Sequence, residues 1–175
     1  MQLKYHYLIF GLILFQYSAS GQKSTQIEVD WQHALISING TKFDIHSTRA
    51  DYRKVLGPAD TVVQLAGKDK FLIYDKLGFA LALKSGTDLV QIITLSYMYE
   101  SMPGYRKFAE EKFTGKLSIS NTVIGDHTGC EVIEKATGAP AIAGKDHCMI
   151  KGNGIITSIS YRGEPVHDIS FQFFE

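Results

Sequence analysis

A chain of 175 residues with 18 basic and 18 acidic side chains offers no electrostatic reason to bind nucleic acid, and its basic residues are scattered rather than striped. Nine Tyr, ten Phe and one Trp give it more burial potential than a disordered chain carries. The length suits one domain with a sizeable core, or two small repeats that share one.

Taken in chain order, Met1–Ser20 reads as a secretory signal peptide. Lys4 gives a positive start, Leu8–Phe15 an apolar run, and Ser18-Ala19-Ser20 the small side chains a signal peptidase needs, with cleavage expected after Ser20 or Gly21. The apolar run is far short of the roughly 20 residues that span a bilayer. The expected product is periplasmic or secreted, without a stable membrane anchor. Losing Lys4 and no acid leaves a net charge of −1.

Ala34–Ile38 and Thr41–Ile45 flank Asn39-Gly40, a two-residue hairpin signal because both turn residues tolerate positive φ. Thr48-Arg49-Ala50-Asp51 forms a capping box; Tyr52, Val55 and Leu56 make one apolar helical face, and Gly57-Pro58 stops the helix. Phe71–Tyr74 and Phe79–Leu83 pair across the turn Asp75–Gly78, and a long strand follows from Leu89. Thr128–Glu131 opens a second helix, which Gly138-Ala139-Pro140 ends.

The second helix repeats the first. With Ile38 aligned on Ile119, the register holds without a gap to Gly57 and Gly138, so that Ile36 meets Leu117 and His46 meets His127. Val90–Tyr97 then matches Val166–Phe173, with Ile93, Leu95 and Tyr97 falling on Ile169, Phe171 and Phe173. The expected organisation is unit one at 27–97, a linker at 98–115 and unit two at 116–175. The expected fold class is α+β: two tandem strand–helix–antiparallel-strand repeats whose short helices cover one face of a sheet. The other face is left partly solvated, as antiparallel sheets allow.

The stretches Leu56-Gly57-Pro58-Ala59, Ile73–Phe79 and Phe113–Leu117 resemble an uncharacterised family of bacterial exported domains, some of them encoded near secreted-toxin loci, over about Ile27 to Phe173. The tandem helix-then-strands plan is also similar to the β-lactamase-inhibitor-protein fold shared with small outer-membrane assembly lipoproteins. That resemblance implies a scaffold for protein binding. Two departures, the extra strand before each helix and the missing lipoprotein Cys, keep inhibitory activity from being carried over.

No catalytic or metal constellation is complete. His33, His46, His127, His147 and His167 show no H-x-x-x-H spacing, and there is no C-x-x-C, so no metal or cofactor is expected. His46 and His127 are expected to order the turns before the helices. Asp146-His147-Cys148 places a base beside a thiol in sequence only, and no G-x-S-x-G occurs. Cys130 and Cys148 in an exported chain permit one disulfide closing a loop of about 18 residues; the alternative is two small buried apolar side chains.

The expected function is therefore a non-enzymatic module whose partner is another protein, with an inhibitor or immunity-type role in the bacterial envelope as its specific form. A structural or assembly component of the envelope and a cryptic hydrolase are the alternatives. Expected contact residues are Tyr99, Tyr105 and Phe108 of the linker and Tyr161 on the sheet, rigid amphipathic rings of the kind that anchor interfaces. The bland reading of the linker rings is that they cap the core between the units.

Overall fold

The computed structural model describes residues 24–64, 70–98, 109–161 and 166–175. The signal segment and the linker rings Tyr99, Tyr105 and Phe108 lie outside the described residues.

Strand β1 (Gln26–Asp30) turns Ile27 and Val29 inward and Gln26, Glu28 and Asp30 outward. A single 3-10 turn at Trp31–His33 buries Trp31 and leads to the hairpin β2 (Leu35–Ile38) and β3 (Thr41–Phe43). Its turn residues Asn39 and Gly40 adopt φ of 51° and 84°, the left-handed conformations that a two-residue hairpin demands. Helix α1 (Arg49–Leu56) leads to β4 (Thr61–Gln64), β5 (Lys70–Tyr74), β6 (Phe79–Leu83) and β7 (Val90–Ser96). The pattern then recurs as β8 (Lys116–Ile119), β9 (Thr122–Ile124), α2 (Cys130–Thr137), β10 (Ala141–Ala143), β11 (His147–Gly152), β12 (Ile155–Tyr161) and β13 (Val166–Phe173).

These strands form two sheets. The smaller runs β3-β2-β1-β8-β9, with β1 antiparallel to β2 and parallel to β8. The larger runs β10-β11-β12-β13-β7-β6-β5-β4, antiparallel throughout. One core lies between them. It holds Ile27, Ile38, Leu117 and Ile119 from the small sheet and Leu81, Leu95, Ile159, Ile169 and Phe171 from the large one.

This corrects the expected α+β class with helices covering the sheet. The fold is β-rich, and a second sheet does the covering. Lengths explain why. Each helix has 8 residues, which is about 12 Å of rod. Eight strands extend about 34 Å across, so two such helices cannot shield that face. Each helix instead connects an edge strand of the small sheet to an edge strand of the large one: β3 to β4 for α1, β9 to β10 for α2. From there the helices add Tyr52 and Ile133 to the core, and Tyr52 stacks on Phe43 with ring centroids 4.0 Å apart.

The helix ends follow the sequence signals closely. Thr48 N and Oγ1 both donate to Asp51 Oδ2, at 3.0 and 2.7 Å, and Lys54 Nζ reaches the same carboxylate at 3.0 Å. The Thr48 hydrogen bonds hold the Asp51 carboxyl below its ordinary range. Its folded pKa is depressed, so this contribution is present at neutral pH and fades as pH falls through the carboxylate range. Gly57 and Gly138 close the helices at φ of 79° and 68°.

The chain re-enters beside β6 and β7. Phe113 N donates to Ser96 O at 2.6 Å, and Glu110 N donates to Asp75 Oδ1 at 2.9 Å. Gly78 makes this docking possible. Its φ is 71°, and a Cβ there would collide with the backbone of Lys112 and Phe113. Gly78→Ala is expected to cost about 2 kcal/mol from backbone strain and overpacking, read as a lower urea midpoint; an unchanged midpoint would show that this contact does not hold the segment.

Candidate functional site

The outward face of the large sheet carries the most distinctive surface. Register places its side chains in rows across the strands. One row runs Ser158–Ser170–Thr94–Ala80, each residue directly opposite the next. A parallel row runs Gln172–Ile92–Ala82–Phe71. On the other side lies Ser160–Asp168–Ser96. Small side chains in the middle row leave the sheet surface low, and the result is a cavity of about 360 Å³ lined by Phe71, Ile92, Thr94, Asp168, Ser170 and Gln172 among others.

The cavity sits where the two halves of the large sheet meet. β7 and β13 are its central strands, and the sheet order outward from them is β6, β5, β4 on one side and β12, β11, β10 on the other. At the junction Thr94 and Ser170 oppose each other, with their hydroxyls 3.2 Å apart. On the first half the lining is apolar, from Phe71, Ala80 and Ala82; on the second it is polar. Ala109 is buried on this same face against Ile73 and Ala80.

Asp168 is the one charged residue among the described lining residues. Its Oδ2 lies 2.9 Å from His167 Nδ1, and Ser160 Oγ donates to Oδ1 at 3.4 Å. Serine, histidine and aspartate are thus adjacent, but in an order that does not make a nucleophile. Asp168 stands between the other two, whereas activation requires the imidazole on the hydroxyl and the carboxylate behind the imidazole.

A second depression, of about 320 Å³, lies at the start of α2, among Asp126, His127, Glu131 and Tyr161. The helix cap is Gly129, one residue past the expected Thr128. Thr128 closes the turn before it: its Oγ1 accepts from Gly125 N at 2.8 Å, just as Ser47 Oγ accepts from Asp44 N at 2.8 Å before α1. These hydroxyls order the two turns; His46 and His127, which the sequence assigns that role, stand exposed. Tyr161 is half-buried here, with its hydroxyl donating to Thr128 O at 3.4 Å. Burial, with Glu131 adding to it, pushes its pKa above the ordinary value. Tyr161 is therefore a half-buried lining residue of this depression. No group of three or more His, Cys, Asp and Glu side chains suited to a metal ion occurs among the described residues.

Cys130 and Cys148 form a disulfide, with Cα atoms 5.9 Å apart, that ties the first residue of α2 to β11. Cys148 faces inward and is buried, while its neighbour His147 faces out. Neither thiol is available as a nucleophile. No helix of the described residues is long and apolar enough to cross a membrane.

Comparison with known proteins yields one family. Its model, described as a domain of unknown function (DUF7738), matches residues 27–129, from β1 to the cap of α2. This is shorter than the stretch from Ile27 to Phe173 expected from the sequence. No curated protein sequence matches. Among solved structures, the chain is similar to an extracellular protein containing a SCP domain from Bacillus anthracis str. Ames, with a TM-score of 0.46 and 9% identity, over 74% of this chain and 44% of that one.

Proposed function

We propose, for a chain that belongs to the DUF7738 family of domains of unknown function, the role of an exported, non-enzymatic protein-binding module that docks its partner on the outer face of the large sheet. The observation that carries this reading is the low, nearly uncharged surface around Thr94 and Ser170. A sheet face left to water is ordinarily studded with long charged side chains. Among the described residues around its cavity are Ala, Ser, Thr, Ile, Phe and Gln with a single charge, Asp168, a composition that suits a protein surface laid against it. Two further features agree with export: the signal-like pattern at Met1–Ser20, and a disulfide, which persists in oxidising compartments. An inhibitor or immunity-type role in a bacterial envelope is the specific form.

The platform is best understood as a duplicated unit. Leu35–Ile38, Thr41–Phe43 and Arg49–Leu56 have counterparts at identical spacing in Lys116–Ile119, Thr122–Ile124 and Cys130–Thr137. Joining two such units through β7 and β13 makes one wide sheet from two halves too small to be stable alone.

Affinity capture from envelope extract tests the reading. Wild type and Glu28→Arg, a change on the solvated face of the small sheet, are expected to retain the same protein reproducibly. Ser170→Arg, at the centre of the large sheet's outer face, is expected to lose it while keeping the wild-type melting curve. Capture of no reproducible protein, or equal capture by Ser170→Arg, would refute it.

A further inference from the structure

We propose that Asn39 is an acceptor for an N-linked oligosaccharide, attached as the exported chain meets a transferase carrying a polyprenyl-pyrophosphate-linked sugar donor. The inference rests on the export reading and is independent of the docking face.

Asn39-Gly40-Thr41 has the spacing such a transferase reads, an asparagine with a threonine two residues on and no proline between them. The chain has three asparagines, and neither Asn121-Thr122-Val123 nor Asn153-Gly154-Ile155 repeats the pattern. The equivalent turn of the second unit, Ser120-Asn121-Thr122, keeps the threonine and lacks the acceptor. In the transfer, Asn39 Nδ2 attacks the anomeric carbon of the donor sugar. The C–N bond forms as the bond from that carbon to the pyrophosphate oxygen breaks. The lipid pyrophosphate leaves with the electron pair, and the amide nitrogen gives up one proton.

The folded turn has room for the product. Asn39, Gly40 and Thr41 are all exposed at the tip of the β2–β3 hairpin. Gln26 N donates to Asn39 Oδ1 at 2.9 Å. A backbone N–H only donates, so this contact assigns the oxygen of the amide and leaves Nδ2 as the end not held by β1. Transfer replaces one Nδ2 hydrogen and keeps Oδ1, so the bond to Gln26 survives it. The tip is open: even a Cβ added to Gly40 would meet no atom within 4 Å. The hairpin belongs to the small sheet and ends in its edge strand β3. A bulky, solubilising sugar there would keep a second chain from pairing with that edge, while the outer face of the large sheet, across the core, stays uncovered.

The test is peptide mass spectrometry of the full-length gene product recovered from the cell that makes it, before and after treatment with an N-glycosidase. The peptide containing Asn39 is expected to carry sugar, and the glycosidase to leave aspartate at that position. Thr41→Ala is expected to lose the sugar and Thr41→Ser to keep it. Asn39→Asp, which retains an oxygen for Gln26 N, is expected to give bare protein with the wild-type melting curve. A cut leader with Asn39 bare would overturn the glycan and leave export standing. An uncut leader with Asn39 bare would overturn both. Sugar that persists in Thr41→Ala, or that sits on another residue in Asn39→Asp, would overturn the assignment to this motif.

Discussion

Phe171→Ala is expected to destabilise the protein by about 3–5 kcal/mol, the cost of emptying a fully buried aromatic site, and to do so in a single transition. Phe171 is completely buried on β13, where it opposes Ile93 of β7 and Thr157 of β12. Its cluster contains side chains from both sheets and both helices. Trp31 is the chain's one tryptophan and is buried in that cluster at the far end of the sequence. Its ring lies beside Gly152 at the end of β11, so its fluorescence in a urea titration reports on the packing of the first half's entry turn against the second half. A shared core requires the fluorescence and far-ultraviolet circular dichroism transitions to coincide and to shift together. A Trp31 transition that stays put while the rest of the protein melts earlier would mean two independent cores.

Reducing the Cys130–Cys148 disulfide is expected to lower stability by about 3 kcal/mol, from the loop entropy restored to the unfolded chain. The bond closes a separation of 18 residues. That span contains α2 and β10, and a helix of 8 residues is unstable by itself in water. The loss should be felt first there. Urea midpoints with and without reductant measure the total, and hydrogen exchange at Ile133 and Ala136 locates it. An unchanged midpoint, or faster exchange spread evenly over both sheets, would contradict this placement of the bond. Alkylation of the unreduced protein is expected to modify neither cysteine.

Local chemistry made part of the fold legible. Asn39-Gly40, the capping box at Thr48 and Asp51, the stops at Gly57 and Gly138, and the β5–β6 pair around Asp75–Gly78 are all set by a few neighbouring residues. The cysteine count and the expected export permitted the Cys130–Cys148 bond without requiring it, and the structure forms it. The small sheet was not legible. Its central strand β1 pairs with β2 nearby in sequence but also with β8, parallel and far away, and nothing in Gln26–Asp30 specifies the second partner. The short edge strands Thr61–Gln64 and Ala141–Ala143 carry too few residues to show a period. The two helical signatures carry no sign that they stop short of a covering layer; that follows only from their length, since two turns of helix cannot cover eight strands.

The candidate surface was less legible still. Ala80, Ala82, Ser158, Ser160 and Ser170 have no signature in sequence. They become a cavity floor only when register sets them side by side across four strands. Large rings draw attention in sequence, as Tyr161 did, although this one packs at the start of α2.

Photocrosslinking tests the central claim, that the outer face of the large sheet is where the partner docks, most directly. A photoreactive residue is placed at Thr94 in one variant and at Glu28 in another, and both are irradiated in envelope extract. The expected result is one discrete protein adduct from the Thr94 position and none from Glu28. No adduct at Thr94, or the same adduct from both positions, would contradict the claim.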